Sequence, residues 1–169
     1  LRHHPGVIDM KSRIDRSKRY EVAVDYASSR GSWYIKGAWK SDPYKSGGLS
    51  SNIGCHLFDV VCHFFGKMKG LVLFEKSDVQ VRGLIETECA KVKWRLSVGI
   101  GEEPKRLFQI NGEQLELSNG FTSLHEEAYR NIISGNGIGL EDARLSVEIC
   151  ENIREMTGGM EGYENSNLH

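Results

Sequence analysis

The chain has 169 residues, enough to bury the core of one domain, and a formal net charge of −1. This balance favours neither a nucleic-acid surface nor an anionic membrane surface, so we expect no nucleic-acid and no membrane partner. No apolar run approaches the roughly 20 residues of a membrane span, and the N-terminus has no signal-peptide pattern. The chain also lacks a starting Met, which suggests a domain of a longer protein.

The four cysteines predict a reducing compartment. Cys55 and Cys62 fall two turns apart on a predicted helix, about 10 Å by helix rise, which is too far for a disulfide. Cys89 and Cys150 also lie among apolar residues. Such cysteines are typical of packed, reduced thiols, so we expect a cytoplasmic protein.

The first elements are a helix and a strand. Residues 5–18 start with a proline suited to a first helical turn and carry apolar residues at helical spacing. Residues 19–29 alternate, with Val22, Val24 and Tyr26 on one face, which predicts a strand with one buried face.

The segment from residue 30 to residue 46 fits neither period and is predicted to be a long functional loop. Its aromatic residues offer flat faces for a ring, and its cations can hold an anionic group. The residues proposed for this role are Arg30, Trp33, Tyr34, Trp39, Lys40 and Lys45.

A helix predicted over residues 52–65 is the centre of the sequence. Asn52, His56, Asp59 and His63 fall within an arc of roughly 60° at 100° per residue, and almost all other positions are apolar. A helix that is apolar nearly all round is usually buried. Its polar stripe must therefore meet polar partners inside the fold or line a cleft.

The remaining chain predicts consecutive strands followed by helices. Strands are expected at residues 70–76, 79–86, 88–99, 105–110 and 114–117, with a type I′ hairpin at Asn111–Gly112, and helices at 123–134 and 140–156. Strands joined by short turns predict an α+β fold with an open, mostly antiparallel sheet and helices on one face. We expect this domain to span residues 1–157, followed by a flexible tail at 158–169.

Two motifs that could bind a metal or a dinucleotide do not fit that chemistry. The Cys-His pairs at residues 55–56 and 62–63 cannot converge on one zinc ion, because neighbouring helix positions point in different directions. The glycine-rich stretch Gly135–Gly139 follows a helix rather than a strand and precedes two carboxylates, so it is not a dinucleotide-binding turn. We expect no metal and no cofactor-binding residue in this chain.

His56 is the candidate catalytic residue. A lone helix histidine is more often a core residue, but Asn52 lies one turn before it and Asp59 one turn after. A histidine oriented by a carboxylate is the usual arrangement for general acid–base chemistry near neutral pH. His63 is interpreted as structural, and spacing alone leaves His3, His4 and His125 undecided.

These motifs, taken together, resemble the second domain of the glucose–fructose oxidoreductase/inositol dehydrogenase/MocA family. The central motif is Gly-Gly-Leu-x-x-Asn-x-Gly-x-His-x-x-Asp. Within the family, the sequence resembles the WlbA/WbpB-type UDP-N-acetylglucosaminuronate dehydrogenases of bacterial surface-polysaccharide synthesis. Five segments in order carry that resemblance: Arg30–Tyr34, Trp39–Pro43, Asn52–His56, Phe121–His125 and Glu141–Arg144.

The resemblance implies a division of labour between two domains. Family members bind NAD or NADP in an N-terminal Rossmann domain, which ends in a Glu-Lys-Pro segment with a catalytic lysine. The second domain, a dihydrodipicolinate-reductase-like open sheet, contacts the substrate and often forms the oligomer interface. This chain starts after the point where the first domain would end. We therefore expect an absent Rossmann domain, no bound cofactor and no activity alone.

The resemblance also implies roles on the central helix. The family pattern is commonly Asp-x-x-x-His; His56 matches the histidine, while Asn52 replaces the aspartate and cannot exchange a proton. The implied reaction is oxidation of the 3-hydroxyl of a UDP-sugar, with His56 sharing proton removal. Asn52 and Asp59 are expected to contact substrate, and the cationic loop to hold a carboxylate or the diphosphate.

Two other functions remain open at this point. The chain could be a stand-alone module that forms homo-oligomers through the uncovered sheet face, where Lys91, Lys93 and Arg95 share one strand face. It could also belong to a family member that oxidises a neutral sugar or polyol.

Overall fold

The computed structural model describes residues 1–29, 39, 42–99, 101–117, 124–157 and 161–164. The helices are α1 (Pro5–Arg13), α2 (Pro43–Ser46), a π-helical turn (Ser50–Gly54), α3 (Cys55–Phe65), α4 (Leu124–Ile133) and α5 (Leu140–Glu155). The strands are β1 (Tyr20–Ala27), β2 (Met68–Lys76), β3 (Gln80–Thr87), β4 (Ala90–Ser97), β5 (Lys105–Ile110), β6 (Glu113–Gln114) and β7 (Glu161–Glu164). The α+β class is confirmed.

The described strands form one open sheet in the order β6-β5-β1-β4-β3-β2-β7. All neighbouring strands in it run antiparallel except β1 and β4, which pair in parallel from Tyr20 with Ala90 to Ala27 with Ser97. The predicted open, mostly antiparallel sheet is therefore confirmed. The parallel pair places β1 in the middle of the sheet, between β4 and β5.

The hairpin between β5 and β6 has the turn that the sequence predicts. Asn111 and Gly112 have φ values of 49° and 85°, as a type I′ turn requires at both central positions. The second strand of the hairpin is shorter than expected, because pairing ends at Gln114.

Helices pack on one face of the sheet. On α3, the Phe58 ring meets Trp94 of β4 edge-on at a centroid distance of 5.3 Å, and Phe64 meets Phe108 of β5 at 6.3 Å. The opposite face of β4 presents Lys91 and Lys93 to solvent. A layer of helices over one sheet face thus buries the core, as the alternation in the strands predicts.

The ends of the chain differ from the predictions. The first helix ends at Arg13, because Ile14 takes an extended conformation rather than continuing to residue 18. The C-terminal tail was expected to be loose from residue 158, yet Glu161–Glu164 pairs antiparallel with β2 at the sheet edge.

Candidate active site

The central helix begins with a wide π-helical turn rather than at Asn52. Gly47 and Gly48 precede it with φ values of 75° and 72°, which favour glycine. The Asn52 side chain donates from Nδ2 to the Gly48 carbonyl at 3.1 Å, and Cys150 Sγ of α5 lies 3.2 Å from the Ser50 carbonyl. These contacts fix the start of the helix, and π-turns of this kind are frequent at functional sites.

A glycine allows the start of this helix to lie close to the sheet. A Cβ on Gly54 would lie 2.6 Å from the Phe58 ring and 2.8 Å from Leu96 Cδ1 of β4. The absence of a side chain therefore permits the close approach of this helix to β4.

A cavity of about 840 Å³ opens between the start of α3, the ends of β1 and β5, and α4. Its walls include the N-terminal segment as well, so residues from five separate parts of the chain meet there. The polar and titratable lining residues are His3, Asp25, Tyr26, Asn52, His56, Arg106 and His125.

The structure brings Asn52 and His56 together on this cavity. His56 is exposed, and its imidazole makes no hydrogen bond to the part of the chain that the structure describes. Asn52 is half-buried one turn earlier, with its amide nitrogen bound to the Gly48 carbonyl. This end of the polar stripe faces a cleft, which was one of the two outcomes predicted for it.

Asp59 lies away from the cavity and has a different partner. Arg2 donates from Nη2 to Oδ1 of Asp59 at 2.7 Å and from Nε to Oδ2 at 3.0 Å. Arg2 also reaches Asp142 of α5, with Nη1 3.1 Å from Oδ1. Burial opposes the charge on Arg2, but the two carboxylates outweigh it and raise its pKa. Asp59 therefore anchors the N-terminal segment and does not orient His56.

His63 at the far end of the stripe is structural. Burial, together with the nearby charges of Lys11 and Arg2, lowers the pKa of His63 to about 4. The His63 carbonyl accepts hydrogen bonds from Lys11 Nζ and from Arg16 Nη2, the latter at 3.2 Å. Cations at the C-terminus of a helix complement its dipole and bind the last carbonyls.

The predicted substrate loop is described only in part. Arg30, Trp33, Tyr34 and Lys40 lie outside the described residues. Trp39 is 58% exposed and does not line the cavity. Lys45 is exposed, does not line the cavity and pairs with Asp42, Nζ to Oδ2, at 3.3 Å.

Sequence reasoning missed the contribution of three other parts of the chain to the cavity. His3 precedes α1, Arg106 of β5 pairs with Tyr26 of β1, and His125 is the second residue of α4. The alternation in β1 assigned Tyr26 to the same face as Val24. No local pattern linked that face to His125.

The described residues contain no group of three or more His, Cys, Asp or Glu side chains arranged to hold a metal ion. None of the helices in the described ranges is long and apolar enough to cross a membrane.

All four cysteines are free, and burial raises the pKa of the Cys62 and Cys150 thiols to about 12. These thiols stay protonated and act as packing groups.

The class of the domain follows from comparison with known proteins. Residues 13–90, which include β1, α3, β2 and β3, match the GFO/IDH/MocA family described as "Oxidoreductase family, C-terminal alpha/beta domain". The resemblance noted in the sequence is confirmed: this chain is similar to the C-terminal alpha/beta domain of this oxidoreductase family.

The particular relatives are dehydrogenases. The WlbA (WbpB) dehydrogenase from Thermus thermophilus, in complex with NAD and alpha-ketoglutarate, is 34% identical, with a TM-score of 0.87 over 95% of this chain. The same enzyme in complex with NAD and UDP-GlcNAcA gives 32% identity and a TM-score of 0.86 over 95% of this chain. This chain spans 55% of the length of each of these two chains.

A structure that is more distant in sequence shares the fold, and the comparison extends no further than the fold. A myo-inositol dehydrogenase from Corynebacterium glutamicum is 11% identical, with a TM-score of 0.65; the match covers 99% of this chain and 63% of the dehydrogenase. The open sheet with its helix layer is thus shared well beyond detectable sequence identity.

Proposed function

We propose that this chain is the substrate domain of an NAD(P)-dependent, cytoplasmic sugar dehydrogenase. The substrate is a UDP-N-acetylhexosaminuronate oxidised at its 3-hydroxyl, in surface-polysaccharide biosynthesis. Support comes from the similarity to WlbA, whose structures contain NAD and UDP-GlcNAcA. The chain works with a cofactor-binding domain and is inactive without it.

One observation carries this proposal. His56 opens onto a cavity of about 840 Å³ from the start of a buried helix, and no described residue engages its imidazole. The cavity lies in the 300–1,000 Å³ range typical of small-molecule sites. A free imidazole on such a wall is available to a ligand hydroxyl.

The roles of the two stripe residues follow from their chemistry. An imidazole accepts a proton near neutral pH, so His56 removes the proton of the hydroxyl being oxidised. Asn52 cannot exchange a proton but positions the same hydroxyl or its neighbour through hydrogen bonds. Its own amide is held by the Gly48 carbonyl, which fixes its orientation.

The described residues do not fit a dinucleotide. The glycine-rich stretch Gly135–Gly139 connects α4 to α5, so it does not follow a strand as a pyrophosphate-binding turn does. A bound nicotinamide supplies the acceptor for the substrate hydride, and its binding site belongs to another domain. We assign no step of the reaction through the cofactor to residues of this chain.

The loop of residues 30–46 remains part of the proposal. Its cations Arg30 and Lys40 hold a charged group of the substrate, and Trp33 and Tyr34 pack on a ring, although these four lie outside the described residues. Trp39, Lys45 and Asp59 were proposed for substrate contact too. Contact by Trp39 or Lys45 requires the loop to turn towards the cavity, and Asp59 acts indirectly through Arg2.

A second copy of the chain is the other proposed partner. No described helix covers the sheet face that carries Leu84 and Lys93, which pair across β3 and β4. Half-buried Leu84 lies there among charged residues, and we propose that homo-oligomers form through this face.

Substitution of His56 tests the function. In the protein joined to its cofactor domain, His56→Ala should lower the turnover of UDP-GlcNAcA by at least about 100-fold, the typical contribution of a general base. The melting temperature should stay within about 2 °C, because the side chain is exposed and unpaired. Lys67→Ala, at an exposed position just after α3, is the control and should leave both unchanged.

The proposal fails if His56→Ala keeps full turnover, or if the protein merely unfolds. Reduction of NAD followed spectroscopically gives turnover, and thermal denaturation gives stability. His56→Asn separates a loss of catalysis from a loss of stability, since the amide keeps the polarity of the side chain but cannot act as a base.

A further inference from the structure

Arg106 lines the cavity from the start of β5, the strand next to one edge of the sheet. It lies on β5 directly opposite Tyr26 of β1, and two residues further along the same face the pair Val24 and Phe108 is buried under α3. Alternation along the strands therefore places Arg106 on the helix-covered side, and its side chain is exposed there.

Arg106 has no partner among the described residues. Its guanidinium makes no ion pair or hydrogen bond to any of them, whereas Arg2, Arg13 and Arg95 are each paired with carboxylates. An unpaired arginine on a concave wall offers five donors in a planar fork.

Among the described residues that line the cavity, the one carboxylate is Asp25, and its charge is already neutralised. Asp25 Oδ1 accepts from Arg95 Nε at 2.8 Å, and Asp25 Oδ2 lies 2.7 Å from Lys105 Nζ. Burial opposes ionisation of Asp25, but Lys105 and Arg95 outweigh it and hold the pKa of Asp25 below its usual range. Among the described lining side chains, the cavity thus has an unpaired cation and no unpaired anion.

Two histidines add donors around the same space. His3 and His125 line the cavity from the N-terminal segment and from α4, and neither makes a hydrogen bond to the described residues. A ligand that enters between them meets nitrogen donors from three elements together with the apolar side chains of Ile53 and Leu57.

We propose that Arg106 is the specificity-determining residue of the site and binds an anionic oxygen group of the substrate. This inference rests on the proposed function and deepens it, because it selects a substrate that carries an anionic group, a carboxylate or a diphosphate, over a free neutral sugar or polyol. The planar guanidinium binds a carboxylate bidentately, and a neutral hydroxymethyl group cannot replace that contact. The sugar carboxylate and the diphosphate both present such oxygens, and the experiment separates them.

Calorimetric titration of the protein joined to its cofactor domain, with UDP-GlcNAcA and with UDP-GlcNAc, provides the test. Arg106→Gln should weaken binding of UDP-GlcNAcA by about 10–100-fold, the usual loss for a charge-assisted hydrogen bond. Unchanged affinity for UDP-GlcNAc then identifies the carboxylate as the group bound. An equal loss with both ligands supports the proposal with the diphosphate as that group.

Matched variants exclude indirect effects. Arg144→Gln removes an exposed arginine of α5 that lies outside the cavity, and its affinities should match those of the wild type. Arg106→Lys keeps the charge but not the fork, and should recover only part of the affinity. Thermal denaturation verifies that each variant is folded, which is expected because Arg106 makes no contact that the fold requires.

The outcomes separate this inference from the proposed function. If the wild type binds UDP-GlcNAcA and Arg106→Gln binds it equally well, the assignment of Arg106 is overturned and the proposed function stands. If the wild type binds neither nucleotide sugar, the proposed function is overturned and the inference with it.

Discussion

The ion pair between Arg2 and Asp59 gives the sharpest prediction about stability. The two side chains are 13% and 22% exposed and share hydrogen bonds of 2.7 and 3.0 Å. Breaking a fully buried pair costs about 3–5 kcal/mol. Both side chains keep some water contact and Asp142 remains a partner of Arg2, so we expect Asp59→Asn to cost about 2 kcal/mol. For a chain of this size, that lowers the melting temperature by about 4–8 °C.

Urea denaturation with a double-mutant cycle measures the pair itself. Arg2→Met, Asp59→Asn and the double variant should give a coupling energy of about 1.5 kcal/mol, because the residues are in direct contact. Glu141→Gln is the control, since its pair with Arg144 is exposed and should contribute under about 0.5 kcal/mol. Unchanged stability of Asp59→Asn, combined with lost turnover in the whole enzyme, would refute the anchoring role and favour the predicted substrate contact of Asp59.

Three further predictions concern the helix and the sheet. The folded state disfavours the charged form of His63, so the free energy of unfolding should fall as the pH drops from about 6.5 towards 4 and level off below. In urea denaturation at several pH values, His63→Gln should remove this decrease. An unchanged pH profile would exclude His63 as its source. Asn52→Asp loses the donor to the Gly48 carbonyl at 3.1 Å and should cost about 1–2 kcal/mol in the same assay, whereas a more stable variant would contradict that contact. Leu84→Glu should convert oligomers to monomers in light scattering, and an unchanged mass would exclude the uncovered face as the interface.

The local parts of the fold could be predicted because their signals are local. Alternation in β1 and β4 reports a buried face, and Asn111–Gly112 fixes a turn within four residues. The parallel pairing of β1 with β4 has no local signal, because it joins segments separated by the central helix and two strands. The strand β7 was missed for a related reason, since it pairs with an edge of β2 that lies far away in the sequence.

Only part of the cavity wall could be predicted from the sequence. Helical spacing correctly placed Asn52 and His56 on one face, but the same spacing could not tell which partner Asp59 would meet. Arg2 supplies that partner from the far end of the sequence, and no periodicity records the contact. Arg106 was missed because an arginine in a strand is ordinarily solvated; only the register with Tyr26 shows that it faces the cavity.

The polar stripe of the central helix therefore serves two purposes, one at each end. Asn52 and His56 face the cavity, while Asp59 holds Arg2 and with it the N-terminal segment. His3 is the next residue of that segment and lines the same cavity, so the ion pair also places one of the cavity walls. Because the anchor and the wall are adjacent in the chain, loss of Asp59 should weaken ligand binding as well as folding, although Asp59 itself does not face the cavity. The result expected of such a positioning role is a weaker affinity of Asp59→Asn for UDP-GlcNAcA with an unchanged pH dependence of turnover.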